Sequence, residues 1–98
     1  MADRIIFHPR PAIRTADGEL RRISPQVAQF LMYLMTHEFA WNDRLIEYMW
    51  PNPDNSPQHE RDALRAIAEH TKTALKNTSW NMVNYHGRGW SLEHADGR

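Results

Sequence analysis

Three prolines fall within seven residues at Pro51-Asn52-Pro53-Asp54-Asn55-Ser56-Pro57, and no helix continues through such a stretch. The break separates two helical patterns. Ahead of it, Val27, Phe30, Leu31, Leu34 and Met35 recur at three-and-four spacing, which makes one apolar face. Ser24-Pro25 opens that helix, with serine as N-cap and proline at the first helical position. It is expected to end near His37-Glu38. Asn42 is then expected to cap a shorter helix, with Asp43 in its first turn and Leu45, Ile46, Met49 and Trp50 on its buried face. Pro51 stops it.

Beyond the break, a third helix is expected from about Gln58–Glu60 to about Asn77. Leu64, Ile67, Ala68, Thr71 and Leu75 lie on one side. Arg61, Arg65, Lys72 and Lys76 lie beside them in a stripe of roughly 60°.

Short strands flank the helices. Arg4 to Phe7, Ala12 to Thr15 and Leu20 to Ile23 predict a small antiparallel sheet of about three strands, with a turn at Asp17-Gly18. At the other end, Trp80 to Tyr85 and Trp90 to Leu92 predict a hairpin around the turn Gly87-Arg88-Gly89. Phe30, Leu34, Leu45, Trp50, Leu64, Leu75 and Trp90 are expected to share one core, and Trp41 to be partly exposed.

Ninety-eight residues hold one domain, and 41% hydrophobic with 24% charged residues points to a globular chain, not a disordered one. With no cysteine there is no disulfide framework and no thiolate metal site or nucleophile. The six histidines include no i, i+4 pair. His59 and His70 stand about 16 Å apart along a helix. No metal site and no cofactor are therefore expected. No phosphate-cradling glycine loop or nucleophile motif appears, so an enzyme is not expected. No apolar run nears the roughly 20 residues of a membrane span, and Met1 to Arg10 lacks the make-up of a secretory signal. A cytoplasmic protein without a membrane partner is expected.

Twelve basic residues cancel twelve acidic ones, so attraction for nucleic acid must come from local segregation of charge. From Ser24 to Gln58, Arg44 faces Glu38, Asp43, Glu47 and Asp54. From His59 to Leu92, Arg61, Arg65, Lys72, Lys76 and Arg88 face Glu60, Asp62 and Glu69. The third helix and the hairpin form the positive half.

Strands, two helices, a proline loop, a third helix and a hairpin make up the order of an α+β winged helix-turn-helix. Residues 4–23 would be its N-terminal sheet, 24–78 its three helices and 80–93 its wing. In such a fold the last helix enters the major groove. The chain resembles the OmpR/PhoB-type winged-helix DNA-binding domain from about Ile5 to Glu93. The family's second helix ends in a Leu-rich stretch and a Trp, as Leu45-Ile46-Glu47-Tyr48-Met49-Trp50 does here. Its third helix carries an apolar and basic repeat, similar to Leu64 to Leu75. Its wing reads Thr-Val-Arg-Gly-x-Gly-Tyr, and Asn84-Tyr85-His86-Gly87-Arg88-Gly89-Trp90 is similar. His86 stands where the family has its wing arginine, and His70-Thr71 where it usually has Arg-Leu.

The resemblance implies a transcriptional regulator of bacterial or phage type, standing alone without a receiver domain. Its expected partner is double-stranded DNA. Gln58, His59, Arg61 and Arg65 would lie near base edges or phosphates, Lys72 and Lys76 farther along the helix, and His86 and Arg88 on the wing. The Pro51–Gln58 loop would contact RNA polymerase, and self-association on DNA is a further expectation. The alternative is a winged-helix interaction module that docks on polymerase or another regulator and leaves DNA alone.

Overall fold

The turn at Asp17-Gly18 sets the first sheet. Gly18 sits at φ +97°, which glycine adopts without a Cβ clash, and its N–H donates to the Thr15 carbonyl at 3.0 Å. In the computed structural model, which describes residues 3–94, this turn joins β2 (Ala12–Arg14) to β3 (Leu20–Arg22). β1 (Arg4–Ile6) pairs with the other edge of β2, so the sheet is antiparallel with order β1-β2-β3. Its register sets Ile5, Ile13 and Arg21 opposite one another, hence on one face. Ile13 is fully buried there. Arg21 turns inward with it while the neighbouring Leu20 is exposed.

Ser24 caps α1 (Pro25–Thr36) as its sequence predicts, its hydroxyl accepting the Val27 N–H at 3.1 Å. Val27, Phe30, Leu31 and Leu34 are buried. Met35, expected on the same face, is exposed. It lies in the last turn, roughly 90° round from the centre of the buried stripe.

Before α2 (Asn42–Met49) comes a two-residue strand, β4 (Ala40–Trp41), that the sequence reading did not contain. The expected cap at Asn42 is not made. Trp41 occupies the cap position with no side-chain hydrogen bond, and Asn42 is already helical. Leu45 and Met49 are buried, whereas Trp50 reaches the core only in part. It is the residue that closes α2, and its backbone at φ −133° has left the helical path.

The proline stretch carries a single 3-10 turn, Pro53–Asn55, in which the Asn52 side chain accepts the Asp54 N–H at 3.0 Å. The Pro51–Gln58 stretch, which that composition predicts to be exposed, is exposed from Pro51 to Asn55 and at Gln58, whereas Ser56 and Pro57 are half-buried.

α3 (Glu60–Ala74) starts where expected and ends earlier than Asn77, which takes a positive φ of 63°. Its buried residues are Leu64, Ile67, Ala68 and Thr71, followed by Leu75 at the cap. The Thr71 hydroxyl donates to the Ile67 carbonyl at 2.8 Å, so its burial leaves no unmet donor.

β5 (Trp80–Asn84) and β6 (Gly89–His94) form the hairpin, and β4 adds to β6, giving a second antiparallel sheet of order β4-β6-β5. The chain is thus α+β, with three helices and two three-stranded sheets among the described residues. Phe30, Leu34, Leu45, Leu64, Leu75 and Trp90 share its core. No helix among the described residues is long and apolar enough to cross a membrane.

Asp3 ties the first sheet to the start of β5. Its buried carboxylate accepts the Ser79 N–H at 2.6 Å and the Ala16 N–H at 2.7 Å. The Ser79 N–H foremost, with Ala16 behind it, holds the carboxyl below its ordinary value of 3.8 against the opposing effect of burial. Asp17 is lowered too, first by the Thr15 hydroxyl.

Two outcomes follow from this packing. Leu34→Ala should cost about 2–5 kcal/mol and lower the thermal midpoint by many degrees; an unchanged melt would remove α1 from the core. For Asp3 the folded-state pKa lies below the unfolded one. Its contribution is therefore complete above the ordinary carboxylate range and disappears as the pH falls through that range toward the depressed value. Melting scans from about pH 7 to 2 should show that loss. Asp3→Asn should start less stable at neutral pH and fall less steeply, with Asp17 keeping part of the slope. Parallel profiles for the two proteins would contradict the role given to Asp3.

Candidate nucleic-acid interface

Of the four cations expected on α3, Arg61, Arg65 and Lys72 lie on the helix, and Lys76 lies just beyond its end at Ala74. Arg61, Arg65, Lys72 and Lys76 are each exposed, as are Gln58 and His59 just before the helix. The first turn also carries Glu60 and Asp62, which suit the positive end of the helix dipole. Glu60 in addition accepts a hydrogen bond from the Ser56 hydroxyl.

The four cations do not act as one stripe. Arg61 donates to Asp43 at 2.9 Å, and the two side chains are 64% and 81% exposed, so the pair contributes well under about 1 kcal/mol and a phosphate can compete for the guanidinium. The other ion pairs among the described residues join Arg21 to Glu19 and Arg44 to Glu47. Among the described residues, no carboxylate pairs with Arg65, Lys72, Lys76 or Arg88. Lys72 stands about 16 Å along the axis from Arg61. With Lys76 it lines a cleft of about 630 Å³ that also includes Trp80, Glu93 and His94.

The hairpin tip lies at the opposite end, beside the start of α3. Arg88 and Arg61 line one crevice with Asp43, Asn42, Trp41 and Gly87. His59 lies in the adjoining depression with Asp43, Glu60, Arg61 and Asp62. What holds the tip there is Asn42. Its backbone N–H donates to the Arg88 carbonyl at 2.9 Å, and its side-chain amide to the Gly87 carbonyl at 2.7 Å. The asparagine grips the hairpin in place of capping its own helix.

The turn is shifted by one residue from the expected Gly87-Arg88-Gly89. His86 and Gly87 carry the positive φ values, 55° and 72°, and Gly89 already belongs to β6. His86 is thus a turn residue, exposed at the tip with Arg88. Gly89 is needed for a different reason. A Cβ there would collide with the Ala40 carbonyl oxygen of β4 and lie 2.7 Å from the Phe39 ring. The second glycine of the hairpin leaves room for the strand beside it.

That strand assembles a feature the sequence reading missed. Phe39, in the bend just before β4, and Trp41, in the strand, bring their side chains together. Their rings meet edge-on at 4.6 Å, and Tyr85 meets Phe39 edge-on at 5.1 Å. Trp41 is 53% and Tyr85 38% exposed. Phe39-Ala40-Trp41, aromatic at alternate positions ahead of a helix, was the available signal. Trp90, by contrast, is buried as expected.

Comparison with protein-family models, with curated proteins and with solved structures finds no match to this chain.

Gly89→Ala tests the close approach. Overpacking against a backbone carbonyl and a ring should cost about 1–3 kcal/mol. Amide exchange should quicken at Asn42 and Arg88, because both strands must shift to admit the methyl group. A variant as stable as the parent, with unchanged exchange, would show that β4 does not need the space.

Proposed function

We propose that this chain is a winged-helix protein of OmpR/PhoB type that binds double-stranded DNA. α3 lies in the major groove and the β5–β6 hairpin serves as the wing on the backbone or minor groove. The observation that carries this reading is the return of the hairpin tip to the start of α3, where Arg88 and Arg61 share a crevice. A duplex groove and its flanking phosphates would meet both at once. The order α1, β4, α2, α3, β5, β6, with β4 paired to β6, supports it. So does the absence of a paired carboxylate on Arg65 and Lys72 among the described residues. The protein would act in the cytoplasm as a transcriptional regulator, with the Pro51–Gln58 loop, exposed from Pro51 to Asn55 and again at Gln58, free to meet RNA polymerase.

One observation favours a second reading. Asp43, Glu60 and Asp62 surround Arg61 at the start of α3, and carboxylates repel phosphate. On that reading the same surface docks a protein.

Titration against duplex DNA at several salt concentrations separates the two, with pooled genomic fragments used first to find a preferred sequence. Wild-type protein should bind, more weakly as salt rises. Lys72→Ala and Arg88→Ala should weaken binding to all sequences and reduce the salt slope by about one counterion each. Arg65→Ala should instead relax preference at one position by about 1–3 kcal/mol. No duplex binding at low salt, or silence of all three changes, would transfer the surface to a protein partner.

A further inference from the structure

We infer that the aromatic cleft at the hairpin tip is a stacking site for an unpaired nucleobase, with the Arg88 guanidinium reaching the adjoining phosphate. The cleft is about 540 Å³ and is lined by Phe39, Trp41, Tyr85, His86 and Arg88. It lies beside the crevice of Arg61 and Asp43 and does not include them.

Three properties specify the occupant. The first is ring geometry. Phe39 is the partly buried base on which Trp41 and Tyr85 each stand edge-on, at interplanar angles of 78° and 68°. Both rings keep exposed surface while held against Phe39, and a planar π system gains from aromatic surface fixed in this way. The second is charge. The lining contains the permanently charged guanidinium of Arg88, and no carboxylate among the described residues joins it. The other four clefts described each contain at least one acidic side chain. An anion is favoured here, and a cationic guest such as a methylated lysine would meet the guanidinium. The third is rigidity. Asn42 holds the tip with two hydrogen bonds, and Gly89 lets Phe39 lie against the β6 backbone, so the rings are placed before a ligand arrives.

A flat aromatic group joined to a phosphate is the chemistry that meets all three conditions. In a paired and stacked duplex the base faces are covered, so the guest is a base out of the stack: in a single strand, at an end or at a distorted step. This site stands apart from the duplex reading, which depends on α3.

Anisotropy titrations of a fluorescein-labelled eight-nucleotide thymidine strand test it, beside an abasic strand with the same number of phosphates. The thymidine strand should bind at least about ten-fold more tightly than the abasic one, since stacking on a single aromatic residue is worth about that factor. Trp41→Ala and Tyr85→Ala should each weaken thymidine binding by about ten-fold, and Trp41→Phe should keep most of it. Both side chains are substantially exposed, so both alanine variants should still melt cooperatively; binding is compared only after that check. Equal binding of thymidine and abasic strands would overturn the inference, as would wild-type affinity in both alanine variants. Tighter binding of an acidic, tyrosine-containing peptide, lost in the same variants, would overturn it in favour of a protein partner. Duplex binding measured on the same samples keeps the two proposals distinct. Its loss with stacking retained discards the major-groove reading alone, and the reverse result discards this one alone.

Discussion

α3 surrenders its last carbonyls to an arginine from the other end of the chain. The final turn of any helix leaves carbonyl oxygens without intrahelical donors. Here the Arg21 guanidinium donates to the carbonyls of Ala74 at 2.9 Å and Lys76 at 2.5 Å, where a cation also suits the negative end of the helix dipole. Asp3 fastens the same junction through the Ser79 N–H. A three-stranded sheet of three-residue strands has little independent stability, so these polar ties, with Ile13 buried beneath them, give the N-terminal sheet its place. In return the sheet fixes the end of α3 and the direction in which β5 leaves it.

The other end of α3 is set from a different side. Leu64, Ile67 and Ala68 enter the core formed with Phe30, Leu31 and Leu45, which settles the rotation of the helix about its axis. Asn42 then pins the hairpin tip next to the first turn. Arg61 and Arg88, 27 residues apart in sequence, meet in one crevice because one end of the hairpin is fixed by Arg21 and Asp3 and the other by Asn42.

The helices were legible because their signals are local. The spacing from Leu64 to Leu75, the Ser24 cap and the Asp17-Gly18 turn each depend on neighbours a few residues away, and the structure keeps all three. What was illegible depended on distant partners. Asn42 has the composition of a helix cap, yet the hairpin carbonyl at Gly87 claims its amide. Nothing local to Leu20-Arg21 marks the leucine as exposed and the arginine as half-buried; that order follows from the carbonyl of Ala74 at the end of α3, which takes the Arg21 guanidinium. Gly89 reads as half of a turn but serves as a gap for Ala40 and Phe39. β4 is too short for any periodicity, so the aromatic group it builds could be inferred only from the alternation of Phe39 and Trp41. The exposed cations of the candidate interface were all identified from sequence; their division between two ends of α3 was not.

That division bears on how such a chain could hold nucleic acid at all. Its net charge is zero, and the cations of α3, of the turn after it and of the tip that make no ion pair among the described residues are Arg65, Lys72, Lys76 and Arg88. Were all four to neutralise phosphates, counterion release would give a salt slope of only about −3.6. Opposed to them stand Asp43, Glu60 and Asp62 around Arg61. Electrostatics alone therefore leaves little surplus once the cost of association is met. Short-range contact has to supply the remainder, and the chain concentrates its exposed aromatic surface at the hairpin tip, in a cleft that contains Arg88 and no carboxylate among the described residues. Rings contribute through dispersion and desolvation, which salt screens far less than it screens charge. On the proposed reading, a small neutral domain that combines a few separated cations with a rigid aromatic tip would hold a nucleic acid by shape and stacking, where a purely basic surface of the same size would depend on ionic strength.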